Sequence, residues 1–264
     1  MKVWFFFSGV LMGIANVVPG VSGGTIAVLM GIYEKLIESV NSFFHGNSKS
    51  LKVLIPVGTG VLVGVFGIAR FLEISLSKYP IPTHFFFLGL VIVSFVKTKE
   101  YFSIKPVNIF FVLLGMFLIF MLHFSGGTTA KENMFLLVLA GFVAAMAMVV
   151  PGISGSLILL IFGVYDHVLY LVSHLIIGEL LIFSIGVVAG ILVSVKIMNF
   201  LLKRFREETY SFIGGMILAS LYEVLPKKMN TNVVLPSILS LVLSLTLGFF
   251  LLYIEKKLSV TQKL

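Results

Sequence analysis

The sequence has no cysteine, a single tryptophan and only eleven acidic residues among 264. Without cysteine there is no disulfide framework, no thiolate nucleophile and no sulfur-ligated metal. With so few carboxylates, most of them in connectors, a catalytic acid pair has little to draw on. Charged residues make up 11% of the chain against 59% hydrophobic, at a mean hydropathy of +1.13. No soluble domain of this size needs so much apolar surface, so the composition specifies an integral membrane protein. The net charge of +8 does not indicate nucleic acid, because the cations cluster between apolar runs. A positive-inside bias puts them there.

About ten apolar segments follow one another: 3–18, 22–40, 53–76, 83–96, 107–124, 134–150, 153–174, 179–202, 209–222 and 233–254. A bilayer span needs about 20 residues, and several of these are shorter. The first two are split by Pro19-Gly20 and the sixth and seventh by Pro151-Gly152, which reads as two broken, re-entrant pairs. Met1-Lys2 before an apolar run imitates a signal peptide, but no A-x-A-like cleavage site follows, so the expectation is that it stays in the mature protein. With the N-terminus in the cytoplasm and each pair an in-and-out excursion, twelve Lys and Arg fall inside, among them Lys97, Lys105, Lys203, Arg204 and Arg206. Four fall outside (Lys78, Lys131, Lys227, Lys228), and Lys35, Arg70 and Lys196 lie within segments. This bias predicts cytoplasmic termini.

The chain repeats itself. Ala15–Tyr33 aligns with Ala147–Tyr165 at an offset of 132 with ten identities in nineteen positions, including Pro19/Pro151, Gly20/Gly152, Ser22/Ser154, Gly23/Gly155 and Gly31/Gly163. Downstream the offset is 126: Gly60 meets Gly186, Gly64 meets Gly190, Gly89 meets Gly215, and Arg70 meets Lys196. Each half, 1–130 and 131–264, holds one broken pair (3–40 and 134–174) and three further crossings. That odd number of traversals predicts an all-α polytopic protein with the halves inverted, a transporter signature.

Proline removes a backbone donor and glycine loosens the chain, so a half-helix should begin near Ser22 to Thr25 with free N–H groups facing the break. Non-helical backbone at membrane depth persists only where protein or a wet cavity satisfies it. A helix start bare of side chains suits a phosphate or carboxylate, and inversion lets two such tips converge near the midplane. Gly20, Ser22, Gly23, Gly24 and Thr25 in one copy and Gly152, Ser154, Gly155 and Ser156 in the other are the candidate anion contacts. Arg70 and Lys196 are candidates to neutralise its charge, since intramembrane cations are costly to insert; snorkelling is the plainer alternative. Glu73, at i+3 from Arg70, either pairs with it or takes part in proton coupling; the matched acids Glu34 and Asp166, each after Gly-x-Tyr near the base of its excursion, either relay protons or mark the interface. The histidines show no metal-ligand spacing, and neither metal nor cofactor is expected.

With Pro-Gly-Val-Ser-Gly-Gly-Thr at 19–25 and Pro-Gly-Ile-Ser-Gly-Ser at 151–156, the sequence resembles the bacterial polyprenyl-phosphate transporter family over essentially its whole length. The resemblance implies a non-enzymatic flippase that returns undecaprenyl phosphate, the carrier lipid of envelope polymer synthesis, from the outer to the inner leaflet of the cell membrane. It carries headgroup recognition onto the motif positions just named. The second copy departs from the first at Ser156 for Gly24 and Leu157 for Thr25, so equal use of both tips is not implied. Residue chemistry alone reaches an anion or anionic-lipid transporter. A lipid-phosphate enzyme and a channel are the alternatives, the first lacking any carboxylate cluster or His-Glu-x-x-His. Inward movement of negative charge against an inside-negative potential costs about 2.3 kcal/mol per charge per 100 mV, which makes proton coupling an expectation. Ser22→Trp or Gly152→Leu is expected to block recycling without unfolding the protein.

Overall fold

The computed structural model describes residues 2–17, 21–124, 133–174, 176–226 and 233–261, and gives only backbone at 17, 68–70, 72–73, 172–173 and 259–261. Gly20 lies outside the described residues, as do the side chains of Arg70 and Glu73. The described residues form twelve α-helices and one short 3-10 turn, with no strand. Those of the first half are α1 (Lys2–Val17), α2 (Gly23–Leu29), α3 (Tyr33–Phe44), α4 (Leu51–Lys78), α5 (Pro80–Lys99) and α6 (Pro106–Phe124). The second half repeats the order as α7 (Met134–Val149), α8 (Gly155–Ile161), α9 (Tyr165–Ser173), α10 (Ile177–Arg204), α11 (Arg206–Val224) and α12 (Val234–Thr261).

Five stretches among the described residues are long and apolar enough to cross a bilayer: Ser48–Gly67, Pro80–Lys99, Pro106–Phe124, Ile177–Arg204 and Val234–Leu258. This is a multi-pass, all-α membrane protein. Its outer helices keep apolar side chains exposed, such as Phe110, Leu113 and Phe117 on α6 and Leu239, Leu243 and Phe250 on α12, as a lipid-facing surface requires. By contrast α11 is central. Tyr210, Ser211, Ile213, Gly214 and Met216 are all buried, so its neighbours shield it and it need not be apolar all round.

One boundary differs from the sequence reading. Segments 22–40 and 153–174 are not single half-helices, since each is cut again at Gly31 (φ 66°) and Gly163 (φ 67°). That left-handed conformation is open to glycine at little cost. The helices after the Pro-Gly breaks are therefore only seven residues long.

The repeat offset has a packing explanation. A Cβ on Gly60 would overlap the Phe6 carbonyl of α1, and one on Gly186 would overlap the Val138 carbonyl of α7. These matched glycines let α1 lie against α4 and α7 against α10 at backbone contact. The fifth helices follow a crossed pattern, with α5 packed on α12 and α11 on α6, while α5 and α11 also touch each other. Each half thus lends its fifth helix to the other half's last.

Candidate functional site

The start of α2 meets the second Pro-Gly break. Thr25 Oγ1 accepts a 3.0 Å hydrogen bond from the Gly152 backbone N–H, and a Cβ on Gly24 would stand 3.3 Å from Pro151 Cα. Nearby the Tyr33 hydroxyl donates to the Val149 carbonyl at 3.0 Å.

The two tips are not equivalent. Ser22 caps α2, its Oγ accepting from the Gly24 N–H at 3.2 Å, and Asn16 Oδ1 accepts from the Gly23 N–H at 2.8 Å. All of α2 is buried. The expectation of free N–H groups at Gly23 and Gly24 is thereby corrected: a serine oxygen and an asparagine amide from α1 already occupy them. Asn16 was the overlooked residue, and it sits seven positions before its partner.

At the second tip the hydroxyls face a space. Ser154 caps α8 without bonding its N–H groups; instead its Oγ shares a 2.6 Å hydrogen bond with Ser156 Oγ. Both serines line a cavity of about 910 Å³ together with His84, His123, Tyr222 and Glu223. Leu157 and Leu160 complete the same wall, and Leu160 and Tyr222 are about half exposed. A polar head could lie against the hydroxyls and imidazoles while an apolar tail leaves along the leucines. Gly152 (φ 94°) packs on Met216 and Ile217 of α11, and Gly155 packs on Met148. These glycines permit close approach of protein to protein.

Three helix ends build this cavity. His84 stands in the first turns of α5, where its Nδ1 donates to the Val224 carbonyl at 3.0 Å. His123 ends α6, its ring edge-on to Tyr222 at 5.3 Å. Glu223 ends α11, with its side chain 10% exposed and Oε1 4.0 Å from His123 Nδ1. Sequence reading passed over His84 and His123 as boundary residues and missed Glu223 entirely. The repeat carried the signal, because the offset of 126 sets Glu223 opposite Lys97 and His84 opposite Tyr210.

Tyr210 lines a second cavity, of about 320 Å³, with Glu34, Tyr101 and Arg206. The two cavities lie at opposite ends of α11, whose nineteen residues span about 27 Å at 1.5 Å per residue. Here Glu34 Oε1 accepts from Arg206 Nη2 at 2.7 Å, Arg206 Nε at 2.9 Å and the Tyr210 hydroxyl at 2.8 Å. The guanidinium also rests over the rings of Tyr101 and Tyr210, at 5.0 and 5.7 Å. Beside it Lys97 is buried, reaching Glu255 at 2.9 Å and Glu100 at 3.0 Å. One of the cations counted for orientation is therefore part of a buried ion pair.

The remaining candidates lie elsewhere. Lys196 is exposed on α10 between Val193 and Ile197, which are also exposed, a lipid-facing position suited to snorkelling and away from the residues lining both cavities. Asp166 is exposed on α9, and its neighbour His167 meets Glu179 at 2.8 Å. Glu34 is held by Arg206. No group of three or more potential metal ligands occurs among the described residues.

Two relatives, from Vibrio cholerae and Staphylococcus aureus, each bear the name polyprenyl-phosphate transporter. The first is 34% identical over 84% of this chain and 77% of its own length. The second is 34% identical over 91% and 94%. Both names describe transporters and not enzymes. No solved structure matches the chain. A family profile described as undecaprenyl phosphate translocase-like matches residues 12–239, and with this match over most of its length the chain belongs to that family.

Proposed function

We propose that this protein moves a polyprenyl phosphate, with undecaprenyl phosphate as the cognate lipid, across the cytoplasmic membrane from the outer to the inner leaflet. The observation that carries the reading is the larger cavity: two hydroxyls and two imidazoles beside an apolar, lipid-exposed edge. Ser154 and Ser156 would donate to the phosphate oxygens, and His84 and His123 would add donors and, when protonated, positive charge. Anion recognition thus rests mainly on the second tip. The first tip braces it through Thr25 and Gly152.

The crossed helix pairing and the placement of repeat mates His84 and Tyr210 in cavities at opposite ends of α11 support an inverted arrangement of halves 1–130 and 131–264. Such halves can exchange roles by rocking about the buried tips. The larger cavity belongs to the end carrying Lys78, and the Glu34–Arg206 cluster to the end rich in Lys97, Lys99, Lys105, Lys203 and Arg204. The positive-inside rule puts the latter in the cytoplasm, together with both termini. The head group would enter from outside and leave past Arg206.

Reconstitution into liposomes with leaflet-resolved detection of undecaprenyl phosphate tests this. Protein-dependent loss of the lipid from the leaflet bearing the larger cavity is the expected result. Release of inorganic phosphate would instead indicate an enzyme, and a large conductance without lipid movement a channel.

A further inference from the structure

A phosphate monoester resting on Ser154 and Ser156 would share its cavity with a carboxyl group. Glu223 lines the same wall, its side chain is nine-tenths buried, and its Oε1 has no hydrogen-bond partner among the described residues. Its repeat mate behaves in the opposite way, for Lys97 is buried between two carboxylates at 2.9 and 3.0 Å. One end of the bundle has a satisfied buried ammonium and the other a buried carboxyl oxygen without a hydrogen bond among the described residues.

Two anions in one low-dielectric cavity repel strongly. Either the carboxyl group holds a proton when the head group arrives, or a neighbour supplies the compensating charge. The described titratable groups lining the cavity with Glu223 are His84 from α5, His123 from α6 and Tyr222 from α11 itself; α8 and its cap contribute no titratable group, only Ser154, Ser156 and two leucines. His84 Nδ1 is committed to the Val224 carbonyl. His123, with Nδ1 4.0 Å from Glu223 Oε1, is the group placed to exchange a proton with it.

We propose that Glu223 is the proton-binding residue of the headgroup site: as the acid it donates a hydrogen bond to a phosphate oxygen, so the lipid phosphate binds together with a proton drawn from the adjacent aqueous phase through His123. This rests on the larger cavity being the headgroup site. It moves the coupling role from Glu34, which is engaged by Arg206 and Tyr210 at the other end, to a residue lying against the bound anion. It also gives His123 a positioning role, since its ring sets the path and orientation of the proton while Glu223 meets the ligand.

The test is binding of farnesyl phosphate, a short polyprenyl phosphate, to the full chain in lipid nanodiscs from mildly acidic to mildly alkaline pH. The wild type should lose about tenfold in affinity per pH unit through Glu223 once that group titrates, in addition to any change from the ligand's own second ionisation. Glu223→Gln carries a neutral donor at every pH, so it should retain the ligand's share of the profile and lose the rest. His123→Gln should shift the wild-type profile without flattening it. Identical profiles for wild type and Glu223→Gln overturn the proposal, whereas absence of farnesyl phosphate binding by the wild type overturns the transport reading beneath it. Infrared difference spectra of the wild type at alkaline pH need no variant: adding farnesyl phosphate should raise a protonated-carboxyl C=O band, and no such band would also overturn the proposal.

Discussion

The hydroxyl of Thr25 accepts a 3.0 Å hydrogen bond from the backbone N–H of Gly152, 127 residues further along the chain and buried on both sides. It ties the first turn of α2 to the second break. Thr25→Val keeps the shape of the side chain and strands a buried donor, so stability should fall by about 1–3 kcal/mol. Thr25→Ser should recover most of it. Thermal unfolding in detergent measures both, and equal midpoints for all three proteins would mean that the contact does not hold the tips.

The two serine pairs should separate in their effects. Ser22→Ala removes the cap of α2 and should cost about 0.5–2 kcal/mol of stability, with farnesyl phosphate binding largely kept in the folded fraction. Ser154→Ala with Ser156→Ala should leave the unfolding midpoint nearly unchanged. It should weaken binding by about 1.5–3 kcal/mol for each hydrogen bond lost to a charged group. Calorimetric titration distinguishes the two, and a binding loss at Ser22 alone would return recognition to the first tip.

Two ion pairs at the Arg206 end should differ in worth. Glu34 and Arg206 are 42% and 52% exposed, so Arg206→Ala should change stability by no more than about 1 kcal/mol. Lys97 and Glu255 are only 9% and 14% exposed. Lys97→Met strands the Glu255 charge and should cost about 3–5 kcal/mol. Adding Glu255→Leu should restore most of that, and a double variant as unstable as the single one would contradict the pairing.

Gly152→Leu is now expected to damage the fold as well as transport. The residue sits at φ 94° and a Cβ there would stand 2.8 Å from Met216 Cβ. Backbone strain of about 1–3 kcal/mol adds to overpacking of similar size. Ser22→Trp meets the same objection, at a site 6% exposed. Membrane yield and unfolding midpoint should both drop, and a normal midpoint would show that the tips tolerate bulk.

Much of this architecture is written in local chemistry. Pro19 and Pro151 announce the breaks, and the glycines at 60/186 and 89/215 keep their spacing because each pair marks an equivalent helix contact. The second interruption at Gly31 and Gly163 was legible too, as a repeated Gly-x-Tyr, but in an apolar run a single glycine reads as continuing helix until its φ is known. The lining of the larger cavity was harder. His84, His123 and Glu223 come from the ends of three helices and gain meaning only when α5, α6 and α11 bring those ends together. Helix periodicity says nothing about which ends meet. Lys196 stands out in the sequence for an opposite reason, because apolar sequence around a cation looks alike whether the side chain faces lipid or protein.

The crossed pairing of fifth and last helices has a consequence for synthesis. Val93 on α5 packs against Gly248 of α12, and α12 leaves the ribosome about 150 residues after α5. Until α12 is made, α5 must wait in the bilayer with that groove unfilled, while α1 already has α4 to lie against. Neither half can close its own surface, so the two become a single object only when α12 inserts.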